Sequence, residues 1–351
     1  MKARPDVFDV RVAVTAQHRQ MLDQVLAVFR IVPDFDLNLM LPGQTLAQST
    51  SRMLAALEPV FQEAQPDIAY VQGDTTSTFC GALSAFYAGV KVGHIEAGLR
   101  TGDLLQPFPE EANRVLTGRL ATLHFAATEG SKENLLREGV APEVIHVTGN
   151  SGIDAVLNVQ KRLETGELTG SDWNFPQPGK QLVLVTAHRR ESFGGGMESI
   201  CRALVRLAAR GDVEIAFPVH RNPNVLGPVQ KYLEGVAGIH LLEPLDYVPF
   251  VDLMRRATIL LTDSGGVQEE GPSLGKPVLV MREKTERPEA VEVGTVRLVG
   301  TDEDRIVAEV SRLLESAEAR AGMCRVHNPY GDGHGSERIA DATLKFRHLL
   351  R

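Results

Sequence analysis

Three groups of residues in this chain have the types and spacing for chemistry. The first is a set of carboxylates. Asp74 follows the strand-like run 67–72, Glu96 follows the run 90–95, and Glu110 and Glu111 follow Pro109. Carboxylates gathered in one cleft suit the removal and return of a proton, because burial and mutual repulsion set their proton affinities apart. Asp74 and Glu96 have no evident capping duty beyond what Thr75 or Thr101 can supply. Glu110 and Glu111 also have a purely structural reading as first-turn acids of a helix with Pro109 at its first position. Glu110 is spaced i, i+4 from Arg114 and can pair with it.

The second group is Asp263-Ser264-Gly265-Gly266, at the end of the apolar run 258–262 and just ahead of helix-forming residues. Glycines let backbone N–H groups approach an anion closely, and a helix start adds unpaired donors and the positive end of its dipole. Glu270 follows, where a carboxylate can accept ribose hydroxyls. The third group is His188-Arg189-Arg190-Glu191 with Gly194-Gly195-Gly196, cationic donors on a flexible loop that suits a pyrophosphate. Arg287 adds a further cation, and Phe250 carries a ring able either to stack on a base or to fill core space. Gln17 and His18 stand at the end of a first strand, where the same histidine could instead cap a helix.

The elements that must position these groups alternate. Strand patterns at 10–15, 67–72, 90–95, 123–127 and 144–147 are separated by helix patterns, with a loop at 33–43. After a Gly, Pro, Asp and Asn-rich linker at 165–179 the alternation resumes with strands at 182–186, 214–219, 239–242, 258–262 and 278–281. Such alternation implies parallel pairing through right-handed crossovers. The expectation is an α/β protein of two Rossmann-like doubly wound domains, 1–164 and 165–335, with a C-terminal helix at 336–351 packing back on the first. A cleft between their strand ends is the default ligand site.

Composition narrows the class. The 351 residues carry a net charge of −8, with 43% hydrophobic and 23% charged residues, which fits a globular protein and argues against a nucleic-acid surface. Cys80, Cys201 and Cys324 are far apart and form no CxxC pair, as expected of reduced thiols and not of a zinc site. No apolar run reaches membrane-spanning length, so the expected location is the cytoplasm, with no membrane partner.

Six strings occur together: Gly73-Asp74-Thr75-Thr76; Gly93-His94-Ile95-Glu96-Ala97-Gly98-Leu99-Arg100-Thr101-Gly102; Pro109-Glu110-Glu111-Ala112-Asn113-Arg114; His188-Arg189-Arg190-Glu191; Asp263 to Glu270; and Thr285-Glu286-Arg287-Pro288-Glu289. In this the chain resembles the non-hydrolysing UDP-N-acetylglucosamine 2-epimerases of bacteria, in register from residue 10 to residue 333. The resemblance implies a glycosyltransferase-B fold, a homodimer, and interconversion of UDP-GlcNAc with UDP-ManNAc for surface polysaccharide synthesis, with neither metal nor nicotinamide. It implies catalytic roles for Asp74, Glu96, Glu110 and His188, the order of the carboxylates left open. Arg114 would steady the leaving group or the carboxylates. Ser264, Gly265 and Gly266 would hold phosphates, Glu270 ribose, Phe250 uracil, and Arg287 further anionic charge. Gln17, His18, Gln44, Arg52 and His220 resemble an activator site for a second UDP-GlcNAc.

The family also carries a strand and a Gly-Thr-Arg-Pro-Glu loop ahead of the segment that starts here at Val10. With only Met1 to Asp9 in that place, the expectation is a gap in the first domain, lowered stability and weak turnover. A nucleotide-sugar-binding protein without catalysis, a hydrolysing epimerase and a glycosyltransferase are the alternatives on the same fold.

Overall fold

Every strand pairing among the described residues is parallel. The computed structural model describes residues 1–16, 19–41, 43–324 and 327–347. It divides into two compact units. One is Met1–Asp154 with the segment from Tyr330 onward, and the other is Ala155–Pro329.

In the first unit β1 (Ala13–Val14) pairs with β2 (Phe35–Asp36). β3 (Ile68–Gln72), β4 (Lys91–Ala97), β5 (Leu123–Ala126) and β6 (Ile145–Val147) form a separate sheet in that order. β1 is shorter than the run 10–15 expected, because the Val12 N–H is taken by the Asp34 side chain at 2.7 Å. β2 lies inside the stretch expected to be loop. The helix Leu46–Ala64 starts at Thr45 and Gln48, whose side chains and backbone N–H groups cap one another, and it buries Met53, Leu57 and Val60. The helix Thr76–Tyr87 buries Cys80, Ala82 and Ala85, small residues that let it lie close to its sheet.

In the second unit the sheet order is β12 (Val296–Leu298), β11 (Val278–Val280), β10 (Ile259–Thr262), β7 (Gln181–Thr186), β8 (Val213–Pro218), β9 (Ile239–Leu242). This is the doubly wound order, which reverses between β7 and β10 and opens a crevice at their carboxyl ends. β10 is buried at every residue, as a central parallel strand covered on both faces must be. β12 and the helix Pro223–Leu233 were not expected from sequence. β12 is only three residues long, and the helix holds Pro223 and Pro228, which read as breakers.

The stretch 165–179 lies in the second unit. Phe175 is buried there and stacks on His240 at 4.2 Å, with Trp173 5.3 Å from Phe175. Polar composition pointed to a linker, but Phe175, with Trp173 beside it, anchors the segment to the sheet edge. No helix among the described residues is long and apolar enough to cross a membrane.

The helix Gly335–Lys345 packs Ile339 and Ala342 against Leu123 and Phe125 in the first unit. Its N-cap residue His334 makes no side-chain cap. Asp154 does so from far away in sequence, accepting the Gly335 and Ser336 N–H groups at 3.1 and 2.7 Å. Asp154→Ala should therefore cost about 1 kcal/mol of stability, measured by urea denaturation, with no loss of turnover at permissive temperature.

Candidate active site

In the first unit the carboxylates gather at the ends of β3 and β4. These strands pair Gln72 with Ile95, so the Gly73-Asp74 turn lies opposite Glu96. A methyl group added at Gly73 would stand 3.8 Å from Glu96 Oε2. Glu96 does not follow its strand, as expected, but interrupts it. The β4–β5 register shifts between Ile95 and Ala97, and Glu96 takes a left-handed φ of 64°. A bulge re-aims a side chain, and a non-glycine residue in this conformation carries about 1–3 kcal/mol of strain, which persists where function fixes it.

The helix Glu110–Leu120 holds the opposing turn. Asn113 donates to the Asp74 carbonyl at 2.9 Å, and Arg114 pairs with the Asp74 carboxylate at 2.5 Å. The i, i+4 spacing allowed Arg114 to pair with Glu110. It pairs instead with Glu111 at 3.2 Å, because Glu111 faces the interior, is 1% exposed, and accepts the Thr101 and Gly102 N–H groups at 3.0 and 3.1 Å. Glu110 stays partly exposed as the first residue of the helix, and Pro109 precedes the helix instead of opening it. Buried His94 donates from Nε2 to the Gly73 carbonyl at 2.8 Å. Burial pushes its pKa down to about 4, so the ring stays neutral and keeps that donor tautomer.

In the second unit the cationic and glycine-rich groups meet at the switch point. His188 follows β7 and Asp263 follows β10, with Thr186 paired to Thr262. The helix Gly265–Ser273 has no side-chain cap at Ser264, and Gly194 provides none for the helix Gly195–Ala208. Neither cap residue takes up the first-turn N–H groups of its helix, the groups an anion at a helix start would meet. Arg287 lies over Gly265, where a Cβ would stand 2.6 Å from its Nη1. It is held there by Glu269 at 2.5 Å. Glycine at 265 is what lets this cation reach the turn.

Glu270 is half-buried in the second turn of that helix. Burial, and then the charge of Glu269, push its carboxyl up to about 8. Its charge also reaches Tyr247, which brings the helix Tyr247–Arg256, carrying half-buried Phe250, to its neighbourhood. His220 stacks near His188 with ring centres 5.6 Å apart. Gln44 and Arg52 line a cavity of about 790 Å³ in the first unit with Gln48 and Ser51. Gln17 and His18 lie outside the described residues.

A family profile described as UDP-N-acetylglucosamine 2-epimerase matches residues 1–344. The UDP-N-acetylglucosamine 2-epimerase of Salmonella typhimurium is 56% identical over 348 residues, covering 98% of this chain and 93% of the relative. The chain belongs to the UDP-N-acetylglucosamine 2-epimerase family. The Neisseria meningitidis UDP-GlcNAc 2-epimerase, solved bound to UDP-GlcNAc, superposes with a TM-score of 0.89 at 46% identity, over 95% of this chain and 91% of that one. The Methanocaldococcus jannaschii enzyme, solved with UDP-GlcNAc and UDP, gives a TM-score of 0.77 at 32% identity over 98% and 94%. The family's glycosyltransferase-B fold accounts for the two α/β units with parallel sheets.

For this epimerase-family chain, sequence reasoning assigned no role of their own to His94, Glu111, Asn113 and Asp263, although Glu111 and Asp263 stood within its candidate groups. A signal existed for two of them: His94 precedes Glu96 by two residues on one strand, and Asp263 follows β10 directly. Glu111 and Asn113 depend on which helix face turns inward.

The raised Glu270 carboxyl makes a stability prediction. The folded state holds this proton up to about pH 8, whereas the unfolded chain releases it near 4.5, so the group destabilises the fold increasingly as pH rises through that window. Glu270→Gln should raise stability at pH 8 by about 1 kcal/mol or more, with the gain fading below pH 5, in thermal melts at both pH values.

Proposed function

We propose that this chain interconverts UDP-GlcNAc and UDP-ManNAc by reversible loss and re-addition of UDP across C1 and C2 of the sugar. The observation that carries the reading is the placement of Asp74 just past β3 and Glu96 near the end of neighbouring β4, with Glu96 held in a strained bulge. In the forward step a carboxylate takes the C2 proton. The C–H electron pair becomes the C1–C2 double bond, and the C1–O bond breaks with its electrons leaving on UDP. In the return step a UDP oxygen attacks C1 and a proton is delivered to the opposite face of C2.

A C2 proton is weakly acidic, so its removal is coupled to departure of an already stabilised leaving group. Asp74, Glu96 and Glu110 are the acid and base groups, and Arg114 sets the charge around Asp74. His188, Arg287 and the Ser264-Gly265-Gly266 turn hold the diphosphate, Glu270 the ribose and Phe250 the uracil. Gln44 and Arg52, with Gln17, His18 and His220, serve a second, activating nucleotide sugar. The product feeds surface polysaccharide synthesis in the cytoplasm, where the free thiols of Cys80, Cys201 and Cys324 stay reduced.

Proton NMR in heavy water tests this directly. Deuterium should enter C2 while UDP-ManNAc accumulates; release of free sugar, or binding with no exchange, sinks the proposal. Glu96→Gln should lower turnover by about 10²-fold or more. Glu96→Gly should be equally inactive yet about 1 kcal/mol more stable, since glycine adopts the left-handed φ without strain.

We also propose a homodimer. Phe86, Tyr87, Leu104, Leu105, Phe108 and Leu116 are all exposed in the first unit, more large apolar side chain than a monomer's surface needs. Sedimentation equilibrium should give twice the chain mass, and Tyr87→Glu with Leu105→Glu should shift it toward the monomer.

A further inference from the structure

Asp263 is fully buried at the switch point of the second unit. Its Oδ2 accepts the backbone N–H groups of His188 and Arg189, both at 2.7 Å. Its Oδ1 lies 3.2 Å from His188 Nδ1, yet no hydrogen bond to Oδ1 is formed among the described residues. A buried acceptor of this kind needs a donor, and the neighbouring ring nitrogen can be that donor only if it carries the proton.

On the other side of the imidazole, His220 lies 5.6 Å away with its ring tilted by 20°. The Asn222 N–H donates to His220 Nδ1 at 3.1 Å, so that nitrogen is unprotonated and His220 carries its proton on Nε2. The His220 tautomer is thus fixed by its local partner, and the side-chain acceptor beside His188 Nδ1 is Asp263 Oδ1.

We infer that Asp263 is a positioning residue that locks His188 as the Nδ1–H tautomer, so that Nε2 alone meets the nucleotide diphosphate and takes up a proton when it binds. This rests on the reading of His188 as a ligand of the departing UDP. Three charged or titratable groups face the ring. The Asp263 carboxylate favours the imidazolium. Burial, which is the largest influence, together with Arg189 and His220, disfavours it and leaves His188 below its ordinary value. An arriving diphosphate adds negative charge at Nε2 and tips that balance, so binding of UDP takes up a proton.

Nitrogen-15 NMR of histidine-labelled protein tests the lock without substrate. His188 in the unaltered chain should show a protonated Nδ1 and a bare Nε2 at pH 7.5, and addition of UDP should protonate Nε2. An Nε2–H tautomer in the unliganded protein overturns the inference whatever any variant does. Asp263→Asn keeps an oxygen for the two backbone N–H groups but turns an amide donor toward Nδ1. It should flip the tautomer, lower the His188 titration midpoint by about one pH unit or more, and cut kcat by about 10²-fold. His220→Gln should leave the tautomer alone and move the midpoint upward.

A flipped tautomer with kcat unchanged would make Asp263 structural only and overturn its positioning role. Failure of the epimerase reading would show separately, as an unaltered chain that places no deuterium at C2 while its His188 tautomer is still as inferred.

Discussion

Parallel pairing is the constraint on which the rest depends. Strands that all run one way must each be followed by a crossover, so every carboxyl end arrives at the same edge of the sheet. The backbone leaving that edge has no further ladder to join. Its N–H groups must find side chains, helix termini or ligands. In the second unit the Asp263 carboxylate meets part of that need by taking two N–H groups from the loop after β7. The helix starts at Ser264 and Gly194 have no side-chain cap from those residues. The same edge that cannot satisfy itself is thereby equipped to hold an anion.

Charge placement follows from the cost of burying ions. A buried charge is tolerated only with partners, and the cations of the site have them. Arg114 stands between Asp74 and Glu111, and Arg287 is held by Glu269. These pairs fix geometry more than they add stability, since a buried ion pair gains little over its desolvation. Glu270 has no such cation among the described residues, and burial, then the neighbouring charge of Glu269, pushes its carboxyl up to about 8. Glu96 shows the same trade in backbone form, with strain kept at β4 where the surrounding ladder on both sides overrides it.

Much of this architecture was legible before any coordinates. Apolar runs of strand length at 67–72, 182–186 and 258–262 became β3, β7 and β10 with small changes at their ends, because a fully buried parallel strand has little freedom in composition. Where short elements depend on their neighbours, the pattern was weaker. β12 has three residues, β2 has two, and the helix Pro223–Leu233 is broken by proline in sequence though not in space. The segment 165–179 looked like a linker by its polar residues, yet Phe175 stacks it onto His240.

Residue type and local spacing were enough to determine the class of fold, the glycine turn after β10, and which carboxylates and cations lie at strand ends. All of these are properties of a few consecutive residues and the periodicities of strand and helix. Only the tertiary structure decided that β7 lies beside β10, that Glu96 sits in a bulge opposite Asp74, and that Arg114 turns to Glu111 and not Glu110. Strand order, register and the inward face of a helix are set by packing between segments far apart in the chain. No window of neighbouring residues contains that information.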